Sequence, residues 1–356
     1  MRLIVTGGAG FIGSAVVRMA VDKGHDVLNI DALTYAACLE NLGPVQKHPR
    51  YAFLKADIRD HAAMASAFAD FNPNAVLHLA AETHVDRSID GPDLFVDTNV
   101  AGTCTLLGVA RDWWESVGRP SFRFHHISTD EVFGSLGPEG LFSEETPYTP
   151  RSPYAASKAS SDHLVRAWYE TYDLPVVLSN CSNNYGPYQF PEKLIPLVII
   201  KAISGEPIPV YGNGGNVRDW LNLEDHVDAL FTVLEHGKTG RSYNIGGEAE
   251  MRNLDLVNHI CSILDEKRPI ERPYREQITF VADRPGHDKR YAMDITRIRT
   301  ELGWRPRVSL AQGLEKTIAW YLDNEAWWRP LLEREGASQR LGMKAESFAA
   351  DVEQRA

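Results

Sequence analysis

The sequence predicts an α/β protein, built as a doubly wound parallel sheet with a smaller α/β lobe toward the C-terminal end. Three observations carry that prediction. Short β-branched apolar runs alternate with helix-period stretches through the first half of the chain. A glycine-rich turn at residues 7–13 separates the first run from the first helical stretch. From residue 183 onward Gly and Pro interrupt the pattern, and strands become short and scattered.

The elements follow in order. Residues 2–6 read as a buried strand, 11–21 as an amphipathic helix, and 25–30, 51–54, 75–79 and 122–127 as further buried strands with helical stretches between most of them. Residues 152–172 read as a helix, because Pro153 stands where a missing N–H costs nothing and Pro175 follows its end. Residues 176–178 supply one more strand. The smaller lobe contributes strands at 208–211 and 242–245 and helices at 194–203 and 253–264. The expected division is therefore a dinucleotide-binding domain over 1–182, to which later segments can return, and a substrate-binding lobe over 183–335. A polar, alanine-rich tail at 336–356, loosely helical or disordered, carries no chemistry.

With 356 residues the chain exceeds the size at which a single core keeps growing, so two lobes and a cleft are expected. The net charge of −11 excludes general nucleic-acid binding, which needs a surplus of Lys and Arg on one face. Cys38, Cys104, Cys181 and Cys261 form no C-x-x-C pair, so neither a zinc site nor a disulfide framework is expected, and no metal is assigned. No apolar run approaches the ~18 residues of a membrane span, and no signal peptide precedes the first strand. A cytoplasmic protein is expected.

In the turn, Gly7 permits a tight reversal, Gly10 lets backbone approach a pyrophosphate, and Gly13 allows helix and strand to pack closely. Phe11 and Ile12 complete it, and the helix N-terminus offers free N–H groups to an anion. This is a Rossmann-type fingerprint. Asp31, at the end of the second strand, is placed to bond the ribose hydroxyls and to repel a 2′-phosphate, so NAD is expected over NADP; a plain turn-forming role is the alternative. Asp57 and Ile58, just after the third strand, edge the adenine in the same way.

Tyr154 and Lys158 are four apart on a predicted helix and so share a face. A phenol has a pKa of about 10 and becomes a useful base near neutrality only when a neighbouring cation stabilises its ionised form. Thr129, Asp130 and Glu131 follow the fifth strand, where doubly wound sheets place ligands. Thr129 can bond the oxygen that Tyr154 deprotonates, and the two carboxyls can serve as acid and base for a second step. Capping of the next turn is the simpler alternative for the acids.

The segments TGGAGFIGS (6–14), DALTYA (31–36), HLAAETHVDRSI (78–89), STDEVFG (128–134), YAASKA (154–159), NCSNNYGPYQFPEKLIP (180–196), VRDWL (217–221) and DRPGHDKRYA (283–292) resemble the extended short-chain dehydrogenase/reductase family. More narrowly, they are similar to its dTDP-glucose 4,6-dehydratases. The resemblance runs over roughly residues 1 to 325. It implies oxidation at carbon 4 of the sugar with Tyr154 as base, proton removal from carbon 5 by Glu131, protonation of the departing 6-hydroxyl by Asp130, and hydride return to carbon 6 with NAD regenerated. It also implies that Leu33, Thr34, Tyr35, Leu79, Ala80, Ala81, Thr83, Thr98 and Asn183 lie beside NAD. Substrate contacts would fall to Thr83, His84, Thr129, Asn183, Glu192, Lys193, Leu194, Pro209, Tyr211, Arg218, Asn253, Arg284 and His287. Arg218 and Arg284 have the forked geometry phosphates favour, although Arg218 could instead pair with Asp219. A homodimer with a four-helix contact is implied as well. UDP- and CDP-glucose remain alternative substrates, and a silent NAD-sensing protein the alternative from another class. Ala32 and the Ala37-Cys38 pair depart from the family pattern.

Overall fold

The computed structural model describes residues 1–334, and the tail expected beyond residue 336 lies outside the described residues. In chain order the strands are β1 (Arg2–Thr6), β2 (Asp26–Asp31), β3 (Tyr51–Lys55), β4 (Ala75–His78), β5 (Arg123–Thr129), β6 (Val176–Cys181), β7 (Asn183–Tyr185), β8 (Ile208–Tyr211), β9 (Val217–Asn222), β10 (Ser242–Ile245), β11 (Glu250–Arg252) and β12 (Ile278–Val281). Seven of them form one sheet in the order β3-β2-β1-β4-β5-β6-β10, and every pairing in it is parallel. The order reverses at β1, which neighbours both β2 and β4, and such a switch point opens a crevice beyond the carboxyl ends of the strands.

Strand side chains alternate between faces, so each strand feeds two cores. Leu3, Val5, Ala75 and Leu77 pack on one face with Val16 and Leu230, from the helices Phe11–Asp22 and Leu223–His236. Ile4, Val76 and Phe124 pack on the other with Phe68, Leu106 and Val165, from the helices His61–Phe71, Thr103–Ser116 and Pro153–Tyr172. Burial on both faces is why these strands read as continuous apolar runs. Ser152 proves to be the cap of the long helix rather than its first residue: its hydroxyl accepts from the Ala155 N–H at 3.1 Å, and Pro153 opens the first turn.

The smaller lobe has the sheet β11-β9-β7, the pair β12-β8, and a core that includes Val198, Ile199, Leu256, Ile260, Leu314 and Ile318. One reading needs correction. Ser242–Ile245, grouped by its position in the sequence with the smaller lobe, instead pairs in parallel with β6 as the last strand of the large sheet. Strand partnership depends on where Leu223–His236 carries the chain, which local pattern does not encode. Val96–Gly102 forms a π-helix, a wide turn the apolar periodicity gave no sign of.

Candidate active site

One continuous cleft at the carboxyl ends of β1, β2, β4, β5 and β6 is lined by the glycine turn, Asp31, Thr129, Asp130, Glu131, Tyr154 and Lys158. Gly7 has φ +72°, and a Cβ there would stand 2.7 Å from the Ala80 nitrogen. At Gly13 a Cβ would stand 2.1 Å from the Gly7 carbonyl oxygen, so helix and turn touch only because both are glycine. Gly10 meets nothing within 4 Å except the Gly7 oxygen of its own turn, at 3.3 Å, and it precedes the helix Phe11–Asp22 without a side-chain cap. The first-turn N–H groups therefore face the cleft unclaimed by a side chain. A pyrophosphate fits this cradle. Asp31 is fixed by the Ala9 and Leu33 N–H groups at 2.9 and 2.8 Å, and burial raises its pKa against those two bonds. Asp57 pairs with Arg59 at 2.7 Å, and Asp57 and Ile58 both line the cleft.

Lys158 donates its Nζ to the Ile127 carbonyl at 2.9 Å, which ties the long helix to the end of β5. Burial pushes Tyr154 well above 10, the nearby Glu131 carboxyl adds to the shift, and a hydrogen bond with Thr129 pulls it back. The expected phenolate is thus not favoured: desolvation and the neighbouring acids both oppose it, and only the Thr129 hydrogen bond helps. Burial also lowers the pKa of Lys158, opposed by the Asp162 carboxylate.

The two acids differ. Asp130 is 1% exposed, and burial followed by the Glu131 charge pushes it well above the ordinary carboxylate range, with Arg218 opposing. Glu131 is raised by burial too, but Arg284, Arg218 and Lys193 all pull it down. The pair is biased toward one protonated and one ionised member. Neither acid's side chain caps the turn that follows; the Thr129 hydroxyl does, accepting from the Glu131 N–H at 3.3 Å.

Of the residues read from the sequence, Phe11, Ile12, Thr34, Leu79, Ala80, Ala81, Thr83, Thr98, Asn183, Glu192 and Lys193 also line the cleft. Others stand behind it or toward the smaller lobe. Leu33, at φ +56°, packs on the large sheet's core, and the Tyr35 hydroxyl donates to Glu192 at 2.8 Å. His84 caps a short helix and lies 3.7 Å from Glu192; burial, then Lys193, lowers its pKa to about 2, so the ring is neutral. Tyr211 donates to Asp86 at 2.8 Å, and Arg284 stands 3.6 Å from the same carboxylate. His287 bonds Asp283 at 2.6 Å. Leu194 packs on the smaller lobe's core, Pro209 sits on β8 opposite Thr279, and Asn253 donates its N–H to Asn216 at 2.9 Å. Arg218 does not take Asp219 as partner. It donates to the Val217 and Asp288 carbonyls at 2.8 and 3.0 Å and lies 4.2 Å from the Tyr291 ring centroid, while Asp219 accepts from Gly247 and Ala249.

Two supporting residues escaped the sequence reading. Asn99, on the π-helix, grips Glu82 through both backbone groups and donates to the Ser157 hydroxyl at 2.8 Å, joining the cleft wall to the helix that carries Tyr154. Nothing local marks it. Asp162 accepts from Ser128 and Tyr148 at 2.9 and 2.8 Å beneath the site, and its spacing of four from Lys158 was a legible signal.

The family model described as GDP-mannose 4,6 dehydratase matches residues 4–317. The chain is 57% identical over 340 residues to a dTDP-glucose 4,6-dehydratase of Shigella flexneri, covering 92% of this chain and 94% of that one. Among solved structures it is similar to a dTDP-glucose 4,6-dehydratase of Streptomyces venezuelae with NAD bound, at 45% identity and a TM-score of 0.86, covering 93% of this chain and 100% of that one. A Bacillus anthracis dTDP-glucose 4,6-dehydratase in complex with NAD is 43% identical with a TM-score of 0.83, covering 93% of this chain and 99% of that one.

Proposed function

This chain belongs to the GDP-mannose 4,6-dehydratase family, and from that premise we propose that it dehydrates dTDP-glucose to dTDP-4-keto-6-deoxy-glucose with NAD held in the cleft. The observation that carries the reading is the Asp130-Glu131 pair, one acid driven toward its protonated form and the other held by three cations, in the same cleft as Tyr154. Simple oxidation or epimerisation has no use for such a pair.

The glycine turn, Asp31, Thr34, Asp57, Ile58, Leu79 to Ala81, Thr83 and Thr98 would hold NAD, with Leu33 and Tyr35 bracing the loop beside them. The chemistry NAD supplies when bound is acceptance of a hydride from carbon 4 and its return to carbon 6. Tyr154 takes the proton of the 4-hydroxyl, and Thr129 hydrogen-bonds the same oxygen. The resulting ketone acidifies carbon 5, from which Glu131 removes a proton. Asp130 gives its proton to the 6-hydroxyl, which leaves as water. Lys193, Arg218 and Arg284 supply the positive charge that a nucleoside diphosphate needs on an acidic protein. Asn183 and Glu192, which line the cleft, would contact the sugar, with His84, Leu194, Pro209, Tyr211, Asn253 and His287 shaping the approach from the smaller lobe.

The domain reading assigns the cofactor to 1–182 with β10 returning to it, and the nucleotide sugar to the lobe within 183–335. A homodimer through two helices per subunit is part of the proposal; the exposed Val96, 52% accessible, on the π-helix that packs against the helix Pro153–Tyr172 supports it, and light scattering tests it. A cytoplasmic setting accords with four free cysteines, and no described helix is long and apolar enough to cross a membrane. The decisive experiment incubates the purified protein with dTDP-, UDP- and CDP-glucose and identifies the product by NMR. Absence of a 4-keto-6-deoxy sugar from all three refutes the proposal, and a preference for UDP or CDP corrects the base.

A further inference from the structure

The loop that follows β2 is held from the far end of the chain. Thr34, Ala36 and Ala37 line the cleft next to Asp31, and the loop has no strand partner of its own. On its inner side the Cys38 N–H donates to the Ala9 carbonyl of the glycine turn at 2.9 Å. On its outer side Arg334 donates to the carbonyls of Tyr35 and Ala37, at 3.2 and 2.6 Å. From the helix Glu325–Leu332, the Trp327 indole N–H donates to the Asn41 side chain at 2.9 Å. Leu331 packs with Cys38 and Phe190 in a small apolar cluster that also touches Ala36 and Tyr35. Cys38 is buried against Leu331 while its thiol donates to Glu40 at 3.0 Å, which holds the loop's own turn together beneath that contact.

We infer that Arg334 and Trp327 are positioning residues that fasten the 34–42 loop across the cofactor end of the cleft and so set how slowly NAD leaves. The inference rests on the proposed cofactor. A loop without ladder hydrogen bonds opens at low cost, and ties to backbone carbonyls and to a buried Asn raise that cost without touching the reacting atoms. Slow release suits a reaction in which the cofactor ends each cycle as it began. Tyr35 extends the consequence: its hydroxyl holds Glu192 at 2.8 Å, so the loop also braces the sugar side.

The test uses the purified protein with its bound NAD and follows exchange against added labelled NAD. Arg334→Ala removes a charged donor to two carbonyls and is expected to speed exchange about tenfold. Both bonds come from the one Nη1, so Arg334→Lys keeps a charged donor on a differently shaped head and should fall between. Trp327→Phe keeps a ring beside Trp320 while deleting the N–H, and should add to Arg334→Ala in the double variant. kcat at saturating NAD should change less than exchange does, because the ties lie outside the cleft lining. Unchanged exchange in both single variants, in proteins whose melting temperatures match the parent, overturns the inference. A protein that retains NAD but turns over no nucleotide sugar would sink the proposed function and leave this inference standing.

Discussion

The Lys158 ammonium donates to the Ile127 carbonyl at 2.9 Å, two residues before Thr129 on the same strand. The helix that carries Tyr154 and the strand that leads into Asp130 and Glu131 are thereby tied together, which fixes the offset between the phenol and the two acids. Ser128 reinforces the lock by donating to Asp162, four residues past Lys158, at 2.9 Å.

Tyr154 is held as a phenol by burial and by Glu131, so its proposed role as base depends on a positive charge arriving in the cleft. Tyr154→Phe should lower kcat roughly a thousandfold while leaving the melting temperature within a few degrees. Stopped-flow absorbance of the reduced cofactor checks this; undiminished hydride transfer excludes the phenol as base.

Asp130 and Glu131 should separate kinetically. Glu131→Gln should slow deuterium entry at carbon 5 from D2O more than it slows oxidation at carbon 4. Asp130→Asn should preserve exchange at carbon 5 and lower water loss by roughly a hundredfold. Mass spectrometry of quenched mixtures reads both, and identical partition in the two variants refutes the division of roles.

Asp162 opposes the burial penalty on Lys158. Removing that carboxylate charge makes the ammonium easier to deprotonate, so Asp162→Asn should move the alkaline limb of the kcat profile to lower pH by about one unit. The groups packed around Asp162 are His126 on β5, Ser128, Tyr148, Asn180 on β6 and Lys158 on its own helix. His126 is lowered to about 4 by burial and then Lys158, hence neutral over the measured range. A profile of unchanged shape with only a loss of stability assigns Asp162 a purely structural part.

Acid should destabilise the fold earlier than the carboxylates alone require. Burial lowers His125 and His226 to about 3, and His126 to about 4, while the unfolded chain binds protons at about 6.5. The unfolded state therefore holds more protons below that value, and the stability present above pH 6.5 is lost as pH falls toward the folded values. Each histidine contributes about 1.4 kcal/mol per pH unit in that window. Urea unfolding between pH 7.5 and 5 measures the slope. His226→Gln, on the helix Leu223–His236 and away from the acids, should make it shallower; an equal slope in that variant removes His226 from the account.

The glycine turn between strand and helix, the spacing of Tyr154 and Lys158, and the Thr-Asp-Glu run at a strand end were all legible in the residues, because backbone permissiveness and helical and strand periods are local properties. So were the first six strands of the large sheet. Local pattern could not say that Ser242–Ile245 would cross back to pair with β6, that a wide turn would aim Asn99 at Ser157, or that Arg334 would fasten a loop nearly 300 residues earlier. Nor could it choose between two adjacent carboxyls. Burial raises both, the Glu131 charge drives Asp130 further up, and Arg284, Arg218 and Lys193 draw Glu131 down; desolvation and charge proximity exist only once distant segments have packed.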